Sequence, residues 1–424
     1  MACLGAVILI AVGVQWKTFA HKILALKPIV GIGLISYSLY LWHWPLLSLY
    51  SYQHDGVKGD RYGVPLLIAL SFVLSAFTWR YVERPFRDRQ HWQFKSVLKI
   101  VLASQVLLLI LGIVVWQLQG IPQRFTNKQL QHYYSKTNDI NPLQISCQYR
   151  YESSDPKPDI KKCLVGAESN LSLRFVIWGD SHANALTPVF GTLGKEYGVS
   201  GIQASYAGGA SLINVKRSDW TSIENQKWQD FNQRVIQFVQ QHPAVTDIFL
   251  VSRWMTQVFG YSEYELRTRG RTGRDENFAI SSIDRNDPVS AFQQSLQDTV
   301  SILLAEGKRV WIVLPVPEVD RDVPRWLAIH GTDEDHDIWI DGYPSWRQST
   351  LLPIFEKVKT KPGIRLLDPI GFLCRDNNHE CRITTKGNSL YLDDNHLSAT
   401  GSVFLSDMLR PAFEEMSEPK LRSG

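Results

Sequence analysis

Long apolar stretches dominate the first 120 residues of this 424-residue chain, at residues 29–50, 64–81 and 97–118. Each is about 20 residues long, enough to cross a hydrocarbon core as a helix. Backbone groups in lipid must satisfy one another, so a helix is the conformation expected of them. A fourth run, residues 2–14, is short for a span, and no basic segment precedes it as a signal peptide would require. The reading is therefore about four spans within residues 1–119, the start of a transmembrane helical bundle.

Charge between the stretches sets their direction. Lys17, His21, Lys22 and Lys27 follow the first run, and Arg80, Arg84, Arg87, Arg89, Lys95 and Lys99 follow residues 64–81. In the connector after residues 29–50, Lys58 and Arg61 are offset by Asp55 and Asp60. The two basic connectors are expected in the cytoplasm, so everything after about Gly120 is expected outside it. The same reasoning puts Met1 outside, which reads as the C-terminal part of a longer multi-span architecture or a divergent start.

Cysteine usage agrees. Of five cysteines, Cys3 lies in the apolar N-terminal run, while Cys147 with Cys163 and Cys374 with Cys381 form two short-spaced pairs. Two local disulfides in an oxidising compartment are expected; free thiols would need a cytosolic location that the topology opposes. Neither pair has the knuckle spacing of a zinc site. The net charge of +4 is small and scattered, which excludes nucleic acid as an expected partner. Fourteen Trp and sixteen Tyr suit membrane interfaces and carbohydrate-facing surfaces.

Residues 120–170 hold few apolar runs and several prolines, and read as an extracytoplasmic linker pinned by Cys147 and Cys163. From residue 171 to 424 the pattern is α/β. Strands are expected over 173–178, 201–205, 247–252 and 309–314, and amphipathic helices over 228–241 and 288–304. Strands alternating with helices imply a parallel sheet covered on both faces, with ligands at the carboxyl ends of the strands.

Gly179-Asp180-Ser181-His182 falls at such an end, directly after the first of these strands. Gly179 permits a tight turn, and a helix starting beyond Ser181 offers amides to an oxyanion. Helix capping by Asp180 or Ser181 is the plainer alternative. Near the C-terminus, Asp393 stands three residues before His396, a spacing that lets a carboxylate orient an imidazole as general base. Serine needs that base, because its hydroxyl is a poor nucleophile at neutral pH. Asp394 competes for the carboxylate role; His182, beside the serine, is expected to line the pocket. The run from His330 to Asp337 carries possible metal ligands but lacks the helical spacing that converges them, so a solvated loop is expected and no metal. Residues 261–287, rich in Arg and Gly, read as a loop beside the site, with an anionic glycan as a possible contact.

His43, within Ser36-Tyr37-Ser38-Leu39-Tyr40-Leu41-Trp42-His43-Trp44-Pro45, is either an interfacial belt residue or a functional group in the bilayer. This run, together with Tyr81-Val82-Glu83-Arg84-Pro85-Phe86, resembles the end of the membrane domain of acyltransferase family 3. The Gly-Asp-Ser and Asp-x-x-His motifs resemble the SGNH hydrolases that many such proteins carry as a fused extracytoplasmic domain. The resemblance implies O-acylation, most simply acetylation, of a cell-envelope polysaccharide such as lipopolysaccharide O-antigen, or of a lipid-linked glycan. It implies Ser181, Asp393 and His396 as the triad, Gly209 of Gly208-Gly209 in the oxyanion hole, and His43 as the membrane-domain motif. It also implies a multi-pass protein of the bacterial inner membrane, with a periplasmic SGNH domain and acetyl-CoA as donor on the cytoplasmic side. No bound cofactor is expected. The chain departs from the family twice. The family's N-terminal spans have no counterpart, so a separate polypeptide is a possible partner supplying them. Where Gly-x-Asn-Asp would follow the strand at 248–251, Ser252-Arg253-Trp254 stands instead, leaving Arg253 as the candidate replacement for the missing oxyanion donor. An esterase removing such acyl groups and a non-catalytic glycan-binding remnant are the other functions compatible with these motifs.

Overall fold

The computed structural model describes residues 19–53, 62–87, 94–150, 152, 160–167, 173–260, 280–281, 287–331, 336–342, 346–375 and 380–417. The chain divides into two compact units, Met1–Pro122 and Gln123–Gly424.

The first unit is helical. Helices α1 (Lys27–Gln53) and α2 (Gly63–Thr78) pack together, and α2 runs through a π-helical turn, Trp79–Glu83, into Arg84–Arg87. Polar side chains join them: Trp42 Nε1 donates to Thr78 Oγ1 at 2.9 Å, and Ser38 Oγ donates to Glu83 Oε2 at 2.9 Å. Helix α3 (Phe94–Gln117) buries none of its residues within the unit. Among the described residues, two helices, Gly63–Arg87 and Phe94–Gln117, are long and apolar enough to cross a bilayer. Helix α1, expected as a span, has the length at 27 residues but not the hydropathy, because serines, tyrosines and His43 dilute its apolar residues. The expected run at 2–14, with Cys3, and the residues 54–61 and 88–93 of the connectors lie outside the described residues.

The second unit is built on a seven-stranded sheet. Its strands are β1 (Gln148–Tyr149), β2 (Leu164–Gly166), β3 (Leu173–Gly179), β4 (Ser200–Tyr206), β5 (Asp247–Val251), β6 (Arg309–Val313) and β7 (Ile364–Leu367). They lie in the order β1-β4-β3-β5-β6-β7, all parallel, with β2 antiparallel against β4. The near-continuous apolar run of β3 is what a central parallel strand requires, since helices cover both its faces. Alternate residues serve separate cores. Val176 and Trp178 pack with Trp228, Phe231 and Phe292, whereas Phe175 and Ile177 pack with Phe190, Phe249 and Phe413.

Helix α4 (Asn127–Asn138) opens this unit, inside the stretch expected as a linker. Its start is a capping box: Thr126 Oγ1 accepts from the Gln129 amide while the Gln129 side chain accepts from the Thr126 amide. That local signal outweighs the polar composition on which the linker reading rested. Beyond α4, the Asp139 carbonyl and carboxylate accept the amides of Ala399 and Thr400 at 2.8 and 3.0 Å. The start of the unit is thereby stitched to its end. Both expected cysteine pairs are disulfides, Cys147–Cys163 and Cys374–Cys381. The remaining helices relevant to the site are α5 (Ser181–Glu196), α6 (Ser222–Gln241), α7 (Pro288–Ala305) and α8 (Ala399–Phe404).

Gly179, the last residue of β3, sits where β3 and β5 come closest to the turn. A Cβ there would lie 1.6 Å from the Val251 carbonyl oxygen, a collision with backbone that no rotamer relieves. We predict that Gly179→Ala destabilises the chain by about 3 kcal/mol, read as a lowered denaturant midpoint.

Candidate active site

The site begins where β3 ends. Asp180 follows Gly179 and is the N-cap of α5; its Oδ1 accepts the His182 amide at 2.8 Å. Its Oδ2 accepts the Arg253 amide, also at 2.8 Å. Asp180 is only 1% exposed, so burial raises its carboxyl pKa, opposed by these two amides and by the charges of His396 and Arg253. Because Asp180 does the capping, the hydroxyl of Ser181, the first residue of α5, is left for another partner.

That partner is His396, 215 residues away along the chain, whose Nε2 lies 2.7 Å from Ser181 Oγ. The loop carrying His396 folds on itself. Tyr391 bridges Leu397, and the Leu392 amide donates to the His396 carbonyl at 2.8 Å. Asp393 organises this turn from within: its Oδ1 accepts the amides of Asn395 and His396, at 2.8 and 2.7 Å. Its Oδ2 lies 2.7 Å from His396 Nδ1. Asp394 points elsewhere, with Oδ1 accepting from Asn395 Nδ2 at 3.0 Å.

The charges are self-consistent. Burial would raise the Asp393 pKa, but the charge of His396 and three hydrogen bonds outweigh it and hold the carboxyl well below the usual range. An ionised Asp393 can only accept, so His396 Nδ1 carries the proton and Nε2 presents its lone pair to Ser181. On His396, burial pulls toward neutrality, but the Asp393 carboxylate outweighs it and the net shift is upward from 6.5. His182 goes the other way. It is held well below 6.5 by burial, then by the charges of His396 and Arg253, and stays neutral beside the site. Its Nε2 lies 3.2 Å from Asn395 Oδ1 and its ring stands 4.8 Å from that of His396. It thus lines the site and braces the Asp393–His396 loop.

Ser181, Asp393 and His396 are therefore brought together; the two proposed oxyanion donors are placed differently. Gly209 donates its amide to the Tyr206 carbonyl at 3.0 Å, closing a tight turn after β4. The expectation that this amide faces an oxyanion is corrected by that bond. Gly209 has its own steric reason to be glycine, since a Cβ would lie 2.5 Å from the Trp228 ring. The Arg253 side chain pairs with Glu318: Nε donates to Oε1 at 2.8 Å and Nη2 to Oε2 at 2.9 Å. Both residues are buried, and the Arg253 charge still reaches His182 and His396. His43 lies in the first unit, with Nδ1 3.0 Å from the Leu39 carbonyl in its own helix. It lines a groove of about 380 Å³ with Tyr40, Ser71 and Phe72.

Sequence reasoning missed Glu318 and Asn395. Glu318 follows β6 by five residues, and the next amide, Val319, donates to the Asp394 carbonyl at 2.8 Å. The Arg253–Glu318 pair thus ties the ends of β5 and β6 to the His396 loop. No spacing rule signals a contact between residues 65 apart. No cluster of potential metal ligands occurs among the described residues. Residues 332–335 of the acidic run, and 261–279 with 282–286 of the expected loop, lie outside them.

Comparison with known proteins adds four findings. Residues 146–411 match the family model described as "SGNH domain (fused to AT3 domains)". The chain is 27% identical over 156 residues to the peptidoglycan O-acetyltransferase OatA of Listeria monocytogenes, covering 34% of this chain and 25% of that protein. It is 31% identical over 81 residues to the O-acetyltransferase OatA of Staphylococcus aureus, covering 19% of this chain and 13% of that protein. The matched stretches thus span a quarter or less of these relatives' own length. Among solved structures, the periplasmic domain of a Salmonella Paratyphi A lipopolysaccharide acetyltransferase aligns with a TM-score of 0.46 at 14% identity, covering 68% of this chain and 97% of that one. A parallel α/β sheet with Ser181 at a strand end, and a family match over well over half the chain, lead to one assignment: this chain belongs to the SGNH family whose domains are fused to AT3 domains.

Proposed function

We propose that the chain is a membrane-bound O-acyltransferase that moves an acetyl group onto a hydroxyl of a cell-envelope polysaccharide through an acyl-enzyme on Ser181. The observation that carries this reading is the unbroken hydrogen-bonded line from Ser181 Oγ through His396 to Asp393. The O-acetyltransferase relatives support the acyl group and the class of acceptor.

Each step uses this chain's own atoms. His396 Nε2 takes the proton from Ser181 as Oγ attacks the acyl carbonyl carbon, giving a tetrahedral oxyanion. Asp393 stabilises the imidazolium without taking its proton. The donor's leaving group departs with the proton from Nε2, and the acyl group remains on Oγ. A sugar hydroxyl then attacks the ester carbonyl and yields its proton to Nε2; the second tetrahedral intermediate collapses, the acetylated sugar leaves, and Nε2 passes the sugar's proton to Ser181 Oγ. The Ser181 amide, in the first turn of α5, and the positive charge of Arg253 stabilise the oxyanion. The acyl group is supplied by acetyl-CoA on the cytoplasmic side and relayed across the inner membrane, with His43 part of that route. The second unit faces the periplasm.

An esterase would use the same atoms, so the products decide. With an aryl acetate donor and an oligosaccharide acceptor, transfer yields acetylated sugar; a chain that releases only free acetate is an esterase, and one with no turnover is not an enzyme of this class. Three outcomes are expected with the full chain in detergent. Ser181→Ala should lower aryl acetate turnover by at least about 10⁴-fold, measured as acetate or phenol release. The pH profile of kcat/KM should rise through an apparent pKa above 6.5, since His396 must be neutral to accept the serine proton and Asp393 shifts it upward. Asp393→Asn should cost about 10⁴-fold and move that acid limb downward, because the upward pull is gone.

A further inference from the structure

A cavity opens at the end of the sheet that carries Ser181, on the β1 side of β4. It has a volume of about 310 Å³ and is lined by Arg150, Glu152, Tyr206, Ala207, Trp220 and Glu224. That is at the lower end of small-molecule sites, which run to roughly 300–1,000 Å³.

Its position follows from register. Gly179 of β3 pairs with Ser205 of β4, and Tyr206 pairs with Tyr149 of β1. Neighbouring strands are about 4.8 Å apart, so the cavity lies about 10 Å across the sheet from the strand end that carries Ser181. That is one or two sugar units away, not the unit at the nucleophile.

Its chemistry suits a sugar. Trp220 is held rigidly: the Arg217 guanidinium lies 5.0 Å over its ring and Trp228 meets it edge-on at 5.5 Å. Gly208 makes room for it, since a Cβ there would come within 3.2 Å of the indole. A fixed aromatic wall binds the C–H face of a pyranose with little loss of rotamer freedom. Tyr206 is 1% exposed, and its hydroxyl has no hydrogen-bond partner among the described residues, which is unusual for a buried polar group. Burial, with the carboxylates of Glu224 and Glu152, pushes its pKa up to about 12, so it remains a donor and acceptor across the physiological range. Two carboxylates beside one arginine offer acceptors for neutral hydroxyls and repel an acidic sugar.

We propose that this cavity is an acceptor subsite that holds an uncharged hexopyranosyl unit, stacked on Trp220 and hydrogen-bonded to Tyr206 Oη, while a neighbouring unit of the same glycan presents its hydroxyl at Ser181. The proposal rests on the reading of the chain as a glycan O-acyltransferase, and it identifies the acceptor as a neutral hexose polymer.

The test is a binding measurement that does not pass through catalysis. The full chain carrying Ser181→Ala, in a non-glycosidic detergent, is titrated calorimetrically with maltotetraose, cellotetraose, mannotetraose and tetragalacturonate. At least one neutral tetrasaccharide should bind. Adding Trp220→Ala should weaken it about tenfold, and adding Tyr206→Phe about fivefold. If Trp220→Ala lowers the unfolding midpoint, Tyr206→Phe, which keeps the ring, decides. Failure of every neutral probe to bind, binding undiminished by both substitutions, or tighter binding of tetragalacturonate would each overturn the proposal. Aryl acetate turnover by the wild-type chain is read separately. Sugar binding without Ser181-dependent turnover sinks the acyltransferase reading but leaves the subsite; turnover without sugar binding does the reverse.

Discussion

The buried carboxylate of Asp180 is the constraint on which the site depends. A charge removed from water is costly unless it is hydrogen-bonded, and Asp180 meets that cost with two backbone amides from different parts of the chain. One belongs to the first turn of α5 and the other to the loop after β5. The carboxylate therefore aims the helix that carries Ser181 and locks the neighbouring strand end against it. Arg253, held in place by the same contact, extends the lock through Glu318 to the end of β6. Three consecutive strand ends are joined by polar bonds, and the serine sits at the head of the row.

His396 arrives from a different direction, and its support is separate. Asp393 uses one oxygen to fold its own loop and the other to orient His396. The amides at the start of α8 are taken up by Asp139, next to α4. Thus the first helix of the second unit and its last loop hold each other, and the position of the imidazole depends on residues more than 250 positions earlier. His182, kept neutral by burial, fills the gap between the serine and the Asp393 loop without competing for the proton.

What could be read from the sequence follows from how local each signal is. The strands over 173–178, 247–252 and 309–314 are legible because a strand buried on both faces must be almost wholly apolar. Ser181, Asp393 and His396 stand out through short motifs at a strand end and in one loop. The cysteine pairs are legible from spacing. Strands β1 and β2 are too short for periodicity to mark them, and α4 hides in polar sequence behind a four-residue capping box. The surroundings of Gly209 and Arg253 are not legible for a common reason: each is decided by a tertiary neighbour. The Tyr206 carbonyl takes the amide of Gly209, and Glu318 takes the guanidinium of Arg253. Helix α1 shows the limit of reading length alone, since its serines, tyrosines and His43 lower the hydropathy of a segment long enough to span.

The 215 residues between Ser181 and His396 also have a meaning in time. At synthesis rates of about 5–20 residues per second, the serine is made roughly 10–40 s before the imidazole it bonds. During that interval the Ser181 hydroxyl has no imidazole beside it. The hydrogen-bonded line from Ser181 through His396 to Asp393 forms only when the loop at 391–397 closes against the finished sheet and α8 docks beside Asp139. For the acyl transfer proposed above, the long separation acts as a completion check: a partly made or C-terminally clipped chain carries the serine without its base.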